Sequence, residues 1–293
     1  MGPSALCSET MAKTAWLICT DLDASLLDAA YEWAGAEVAL KAVRALGVPL
    51  VLNSSKTFAE MAPFAAALDP LAPVIAENGT AIGYPQCWGS GAADAKVDSY
   101  GVEYCGMKRT ELLRIAHELR ERKGYRFRGF SEMEAEALTE TLGLDAKQAR
   151  AALERYGSEP IDWLDSVEAL EEFSDSLAVE GVALVRGGRF EHLMPAHQSK
   201  GTALMDVLQR YRSRQPELQW NVLAIGDSPN DCSMLEIADQ ALVIPNPKRG
   251  TLKLKRPDYE VAPAPGPEGW GVAVLNFLST QVSSTTNYYK RHE

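Results

Sequence analysis

Two carboxylates one residue apart, Asp21 and Asp23, follow directly on the apolar run Trp16–Cys19 within DLDASLLD. Just past a buried strand, side chains at this spacing can face one cleft. There the first can attack an electrophile such as phosphorus, while the second gives and takes protons. The same D-x-D also occurs in solvated loops, so it does not decide the chemistry alone. A second acidic element, Ile225-Gly-Asp227-Ser-Pro-Asn230-Asp231, again follows an apolar run. Asp227 and Asp231 can share one cation, and Mg2+ accepts a few carboxylates completed by water and phosphate oxygens. An ordinary turn capping the next helix would read the same way.

Two further elements suit an anion. Lys200, in HQSKGTAL, opens a helical pattern, where a lysine opposes the helix dipole. That placement fits an ammonium facing an anion, although surface lysines also occur there. Ser54, Ser55 and Lys56 follow the apolar run Val48–Leu52. A hydroxyl with backbone N–H groups at a strand-to-helix turn can hold phosphate oxygens, or simply cap the helix.

The elements that must position these residues alternate. Apolar runs at Trp16–Cys19, Val48–Leu52 and Val74–Ala76 are separated by helical patterns at 34–46 and Phe58–Leu68. The C-terminal part repeats this, with helices at Gly201–Tyr211 and Ser233–Ala238, and strands at Trp220–Ile225 and Ala241–Ile244. Such alternation predicts an α/β fold, a three-layer α/β/α Rossmann-like parallel-sheet core. Asp21, Asp23, Ser54, Asn78 and Asp227 all fall at strand carboxyl ends, where open α/β sheets bind ligands. Between the halves the texture changes. Helices are expected at 110–123 and 145–156, and β-like runs at Ser176–Val185 and Phe190–Met194. This predicts an inserted α+β cap at 85–195, with the core formed by 1–84 and 196–293. APAPGPE at 262–268 reads as a loop before an apolar helix at Val272–Leu278.

The chain of 293 residues has 29 Lys plus Arg against 40 Asp plus Glu, a formal charge of -11. An acidic chain repels nucleic-acid backbones and anionic lipid surfaces, so neither is an expected partner. A small anionic substrate stays admissible where a bound cation reverses the local field. Five scattered cysteines without a C-x-x-C exclude a zinc ribbon and suggest a reducing compartment. The apolar run Ala15–Cys19 is too short for a signal sequence or a membrane span. A cytoplasmic protein is expected, with homodimerisation left open.

The order D-x-D, Ser, Lys and GD-x-x-ND resembles the haloacid dehalogenase superfamily, in particular its phosphatases with a large α+β cap. The resemblance implies that Asp21 is the nucleophile and Asp23 the acid/base, and that Ser54 and Lys200 hold the phosphoryl group. It also implies Mg2+ bound by Asp21, the Asp23 carbonyl and Asp227, with Asp231 in support. In that superfamily the run is usually DLDGTLL or DLDGSLL, and Ala24 departs from it. If the usual Gly is left-handed, Ala adds strain of about 1 kcal/mol.

More closely, residues 21–33 (DLDASLLDAAYEW), 54–57 (SSKT), 76–80 (AENGT), 129–131 (GFS), 158–160 (SEP), 186–194 (RGGRFEHLM) and 266–270 (GPEGW) look like the mannosyl-3-phosphoglycerate phosphatases. The likeness runs from about residue 15 to 278. It implies a small phosphorylated sugar-glycerate substrate. Arg186 and Arg189, with Arg126 or Arg128, would pair with its carboxylate through forked hydrogen bonds. Ser131, Ser158, Glu159 and His192 would take sugar hydroxyls, and Ser55, Lys56, Glu77, Asn78, Gly79 and Asn230 would contact substrate near the phosphate. Each of these also has a plain structural reading, such as solvated arginines or a turn at Asn78-Gly79. The alternatives are a phosphatase for glucosyl-3-phosphoglycerate or sucrose-phosphate, a phosphosugar mutase, or a sugar-phosphate-binding protein on a disabled scaffold.

Overall fold

The structure is a computed structural model, and it describes residues 13–89, 93–187 and 190–282. The first buried run forms β1 (Lys13–Thr20). Its side chains alternate between two apolar layers. Trp16 and Ile18 pack on one face, and Leu17 and Cys19 on the other. A strand buried on both faces lies at the centre of a sandwich, not on an exposed sheet.

Helix α1 (Glu37–Leu46) ends at the left-handed Gly47 and leads into β2 (Leu50–Asn53). Helix α2 (Phe58–Leu68) follows, capped by Thr57 and Glu60, which bond each other's backbone N–H groups. Then come β3 (Val74–Ala76) and β4 (Ala81–Pro85). The chain continues as β5 (Ala95–Val97) and β6 (Tyr100–Tyr104). These belong to the same nine-stranded sheet, β4 and β6 pairing antiparallel. The large sheet therefore runs about twenty residues past the boundary expected at 85.

The chain leaves that sheet at α3 (Arg109–Lys123). It then forms β7 (Phe127–Gly129), α4 (Ala135–Leu142), α5 (Ala146–Leu153), β8 (Glu159–Trp163), α6 (Val167–Val179), β9 (Val182–Arg186) and β10 (Glu191–Pro195). The four strands form a separate antiparallel sheet in the order β7-β8-β10-β9. Its apolar face packs on Leu112, Ile115 and Leu119 of α3 and on Phe173 and Leu177 of α6. The β-like reading of Ser176–Val185 is half right. Ser166 caps a helix through the Ala169 N–H, and the Phe173/Leu177 pair at helical spacing carries it to Val179. Only 182–186 is strand.

Helix α7 (Lys200–Arg214) re-enters the large sheet. β11 (Leu218–Gly226), α8 (Cys232–Ile237), β12 (Gln240–Val243), β13 (Glu260–Val261) and α9 (Gly266–Phe277) complete it. The order β13-β12-β11-β1-β2-β3 is parallel throughout. Helices α1, α2 and α9 cover one face and α7 and α8 the other. This is the expected three-layer arrangement. The carboxyl ends of β1, β2, β3 and β11 meet at one edge. No helix among the described residues is long and apolar enough to cross a membrane.

The APAPGPE stretch is only partly a loop, because α9 already begins at Gly266. Gly269 passes the backbone so closely that a Cβ there would stand 1.7 Å from the Ala264 carbonyl oxygen. Gly269→Ala must therefore displace the start of α9. We expect a loss of about 2–3 kcal/mol, the overpacking scale, read as a lowered midpoint in denaturant unfolding.

Candidate active site

Asp21 is the first residue past β1, and its N–H continues the parallel ladder by donating to the Ile225 carbonyl. Its own carbonyl accepts from the Thr20 hydroxyl at 2.8 Å, and that oxygen accepts from Trp270 Nε1 at 3.0 Å. A buried tryptophan on α9 thus holds the turn that carries Asp21. Lys200, the first residue of α7, is buried and reaches across the edge of the sheet. Its Nζ lies 2.6 Å from Asp21 Oδ1 and 2.6 Å from Asp231 Oδ1. The second oxygen of Asp231 accepts from the N–H groups of Asp227 and Ser228, both at 3.0 Å, and from the Ser228 hydroxyl. Asp231 is saturated, and its work is to fold the Gly226–Asp231 turn around itself. Asp227 is held by Asn246 Nδ2 at 2.5 Å and Ser25 Oγ at 3.3 Å.

Asp21, Asp227 and Asp231 bring one carboxylate oxygen each within 4.8 Å of one another, all three residues buried. Three carboxylates and one ammonium leave two uncompensated negative charges, which equals the charge of one divalent cation. Burial pushes Asp21 well above the ordinary carboxylate range. Lys200 opposes that shift, and Asp231 and Asp227 add to it. Burial, reinforced by Asp231, raises Asp227 to about 6 against the pull of Asn246 and Lys200. Burial alone would lower Lys200, but Asp21 and Asp231 more than offset it and hold the ammonium above its ordinary value. Hard oxygen donors in this number and charge fit Mg2+. Asp21 and Asp227 keep lone pairs for it, whereas Asp231 is committed to the loop.

Asp23 stands apart from this cluster. Its carboxylate is half exposed and pairs with Lys56 Nζ at 3.1 Å. Burial opposes the Lys56 charge, yet Asp23 and Glu60 hold it above the ordinary value. Ser54 is buried, and its Oγ accepts from the Lys56 N–H at 3.3 Å. Asn78 accepts from Asn230 Nδ2 at 3.0 Å, while its own Nδ2 is buried without a protein partner. The structure therefore brings Asp21, Ser54, Asn78, Lys200, Asp227, Asn230 and Asp231 to one sheet edge, with Asp23 and Lys56 beside them. Gly79 is explained by the backbone: its φ is 101°, and a Cβ would meet the Ser199 carbonyl at 2.3 Å.

The residues expected around the sugar and carboxylate divide. Ser158 is buried and fully used, donating to Glu77 Oε2 at 2.7 Å and accepting from Arg155 Nη1 at 3.0 Å. It is a structural hydroxyl, not a sugar ligand. Ser55 offers its carbonyl to Arg155 at 3.2 Å. Arg186 is largely exposed and pairs with Glu191 Oε1 at 2.5 Å. Arg128 and Ser131 are exposed, and the Ser131 N–H donates to Glu159 Oε1 at 2.7 Å. Arg189 lies outside the described residues. His192 is buried on β10 with Nδ1 unpartnered. Burial, then Arg155 and Lys200, lower it to about 3, so it is neutral over the working pH range.

Sequence reasoning missed Asn246 and Arg155, and read Glu77 as a substrate contact or a turn where it bonds Tyr156, Gly157 and Ser158 of the insert. Asn246 had a readable signal, since it stands just past the apolar run Ala241–Ile244 as Asp227 stands past β11. Arg155 had none. Its importance depends on the fold bringing residue 155 against the loop after β2.

Residues 161–253 match the haloacid dehalogenase-like hydrolase family. Among solved structures, a Thermoplasma acidophilum protein aligns at TM-score 0.65 and 18% identity, covering 90% of this chain and 98% of its own. A Bacteroides thetaiotaomicron protein, described in a study of phosphatases of that superfamily, aligns at TM-score 0.62 and 17% identity, covering 94% and 99%. A HAD subclass IIB sugar phosphatase aligns at TM-score 0.59 and 16% identity, covering 90% and 99%. The fold is that of a haloacid dehalogenase-like hydrolase.

In this chain Ala24 is left-handed, with φ 60°. The departure from the usual glycine thus falls where glycine is favoured. Relief of about 1–2 kcal/mol of left-handed strain exceeds the added chain entropy of about 0.5–1 kcal/mol. Ala24→Gly should stabilise the protein by roughly 0.5–1 kcal/mol, measured by thermal or urea unfolding.

The cation fit has a pH signature. Asp227 binds its proton more tightly folded than unfolded, so between about pH 4 and 6 the native state holds the extra proton. Without metal, stability falls as pH rises through that window. A cation that takes the proton's place reverses this. Mg2+ should raise the melting temperature by several degrees at pH 7.5 and little at pH 5, and excess chelator should remove the difference.

Proposed function

We propose that this chain is a Mg2+-dependent phosphatase that hydrolyses 2-O-mannosyl-3-phosphoglycerate to mannosylglycerate and phosphate. The observation that carries the reading is the buried Asp21–Lys200–Asp231 constellation, with Asp227 beside it, at the carboxyl edge of a parallel sheet. A carboxylate held at 2.6 Å by an ammonium is a fixed nucleophile. It needs no base to activate it, unlike serine or threonine. The substrate assignment rests on the SSKT, AENGT and RGGRFEHLM elements, and the subclass IIB sugar phosphatase among the structural neighbours agrees with the substrate class.

In this reading an Asp21 oxygen attacks phosphorus, and the bond from phosphorus to the substrate alcohol breaks. Asp23 gives its proton to the departing alcohol oxygen. Asp23 then takes a proton from water, whose oxygen attacks the aspartyl-phosphate. Phosphate leaves and the Asp21 carboxylate is restored. Lys200, the Ser54 hydroxyl and the unpartnered Asn78 Nδ2 donate to the phosphoryl oxygens. Mg2+, held by Asp21, the Asp23 carbonyl and Asp227, would neutralise charge between carboxylate and phosphate. Glu77 ties the insert to this edge through the Tyr156 and Gly157 N–H groups and the Ser158 hydroxyl.

Asp21→Asn should reduce phosphate release from the mannosyl substrate by at least about 1,000-fold, the scale of removing a nucleophile. Lys200→Met should cost about 100–1,000-fold, the scale of losing one pre-organised charge donor. Steady-state phosphate release with and without Mg2+ checks both. Equal activity in wild type and Asp21→Asn would refute the reading.

A further inference from the structure

A cavity of about 270 Å³ opens between α2 of the core and the turn into α5 of the insert, lined in part by Lys56, the ion-pair partner of Asp23. Tyr31, Lys56 and Phe64 line it from the core, and Leu144, Lys147 and Gln148 from the insert. We propose that it is the subsite for the sugar ring of the substrate, with the Tyr31 ring as its stacking platform. The proposal deepens the phosphatase reading above and rests on it.

Placement is the first argument. Lys56 lines the cavity, and its ammonium pairs with Asp23 at 3.1 Å. Asp23 is the group that protonates the leaving oxygen, so the leaving alcohol must lie next to it. Any bulky part of that alcohol needs room on this side.

Tyr31 is the second. It is a bulky aromatic residue with φ 61°, a conformation such side chains rarely adopt. Strain of this kind persists only where the surroundings over-determine it, and it collects at ligand clamps. The surroundings are visible. The Tyr31 N–H bonds the Asp28 carbonyl, while Asp28 Oδ1 accepts from the N–H groups of Ala30 and Glu32. The turn aims the ring at the cavity, with the Lys56 ammonium 4.5 Å from its centroid.

The third argument is chemical. Two carboxylates also line the cavity, and each gives one oxygen to a helix cap. Glu60 accepts the Thr57 N–H, and Asp145 accepts those of Lys147 and Gln148. Their second oxygens, with Lys147 and Gln148, set acceptors and donors beside an aromatic face. Lys147 makes no ion pair among the described residues. The Gln148 carbonyl accepts from the Asp145 N–H, leaving its NH2 to donate. Phe64 and Leu144 close the apolar side. An aromatic face with hydrogen-bond donors at the rim suits a hexosyl group, whose C–H face is apolar and whose hydroxyl oxygens accept. Because both core and insert form the walls, the sugar would be gripped only with the insert seated.

The test compares two substrates that differ only in the sugar, 2-O-mannosyl-3-phosphoglycerate and 3-phosphoglycerate. The readout is the ratio of their kcat/KM values. Tyr31→Ala should lower this ratio at least about tenfold, Gln148→Ala severalfold, and Tyr31→Phe little. Equal losses on both substrates would make Tyr31 merely structural and overturn the proposal. An unchanged ratio in Tyr31→Ala and Gln148→Ala would place the sugar elsewhere and overturn it equally, leaving the phosphatase reading intact. If wild type releases phosphate from neither compound, the substrate reading itself fails and takes this proposal with it.

Discussion

The Lys200 ammonium lies 2.6 Å from Asp21 and 2.6 Å from Asp231, with none of the three side chains more than marginally exposed. Much of the rest of the molecule follows from that contact. Removing a carboxylate from water is costly, and the cost is tolerable only where an opposite charge and good hydrogen bonds replace the solvent. Lys200 supplies the charge to two carboxylates from the first turn of α7, where the helix dipole disfavours a cation. The dipole effect of about 0.3–1 kcal/mol is small beside a fully desolvated carboxylate. Position at the helix start is therefore decided by the acids, not by the helix.

The contact also sorts the acids by task. One oxygen of Asp231 is taken by Lys200, and the other by two backbone N–H groups and a hydroxyl. Such a group cannot readily change partners and works as a scaffold. Asp21 and Asp227 are less fully bonded and sit where the charge balance is short by two. Asp23, only two residues from Asp21, is half exposed and paired with Lys56 instead. Neighbouring carboxylates thus differ in environment, which allows one to attack while the other moves protons.

Much of this was legible in the sequence. The strand-end positions of Asp21, Ser54, Asn78 and Asp227 follow from apolar runs, because a parallel sheet with right-handed crossovers brings those ends to one edge. Lys200 was readable as a misfit at a helix start. What was not legible depends on contacts between distant segments. Ser158 looked like a free hydroxyl until the fold set it between Glu77 and Arg155. Arg186 looked like a carboxylate receptor until Glu191, its cross-strand partner on β10, took it up. The start of the insert was misplaced because β4–β6 are short, and the pairing of β4 with β3, of β6 with β4 and of β5 with β6 carries no sequence mark. The helical half of Ser176–Val185 was missed because that stretch begins inside α6, and the Phe173 that pairs with Leu177 at helical spacing lies before it.

The coupling between insert and site runs through one short turn. Glu77 and Asn78 are both left-handed, with φ 50° and 58°. Two consecutive residues in that region cost about 1–3 kcal/mol each, so the arrangement requires compensation on both sides. Glu77 receives it from the insert: its buried carboxylate accepts from the N–H groups of Tyr156 and Gly157 and from the Ser158 hydroxyl. Asn78 receives it from the core, through Asn230 in the loop that Asp231 organises. Arg155, next to the same acceptors, reaches back to the Ser55 carbonyl after β2. The insert is thus fastened to the two loops that carry Ser54 and Asn78. Lifting it would expose the Glu77 carboxylate, leave the strain at 77 and 78 uncompensated, and loosen the loops that carry Ser54 and Asn78. A seated insert and an ordered sheet edge are two aspects of one set of bonds.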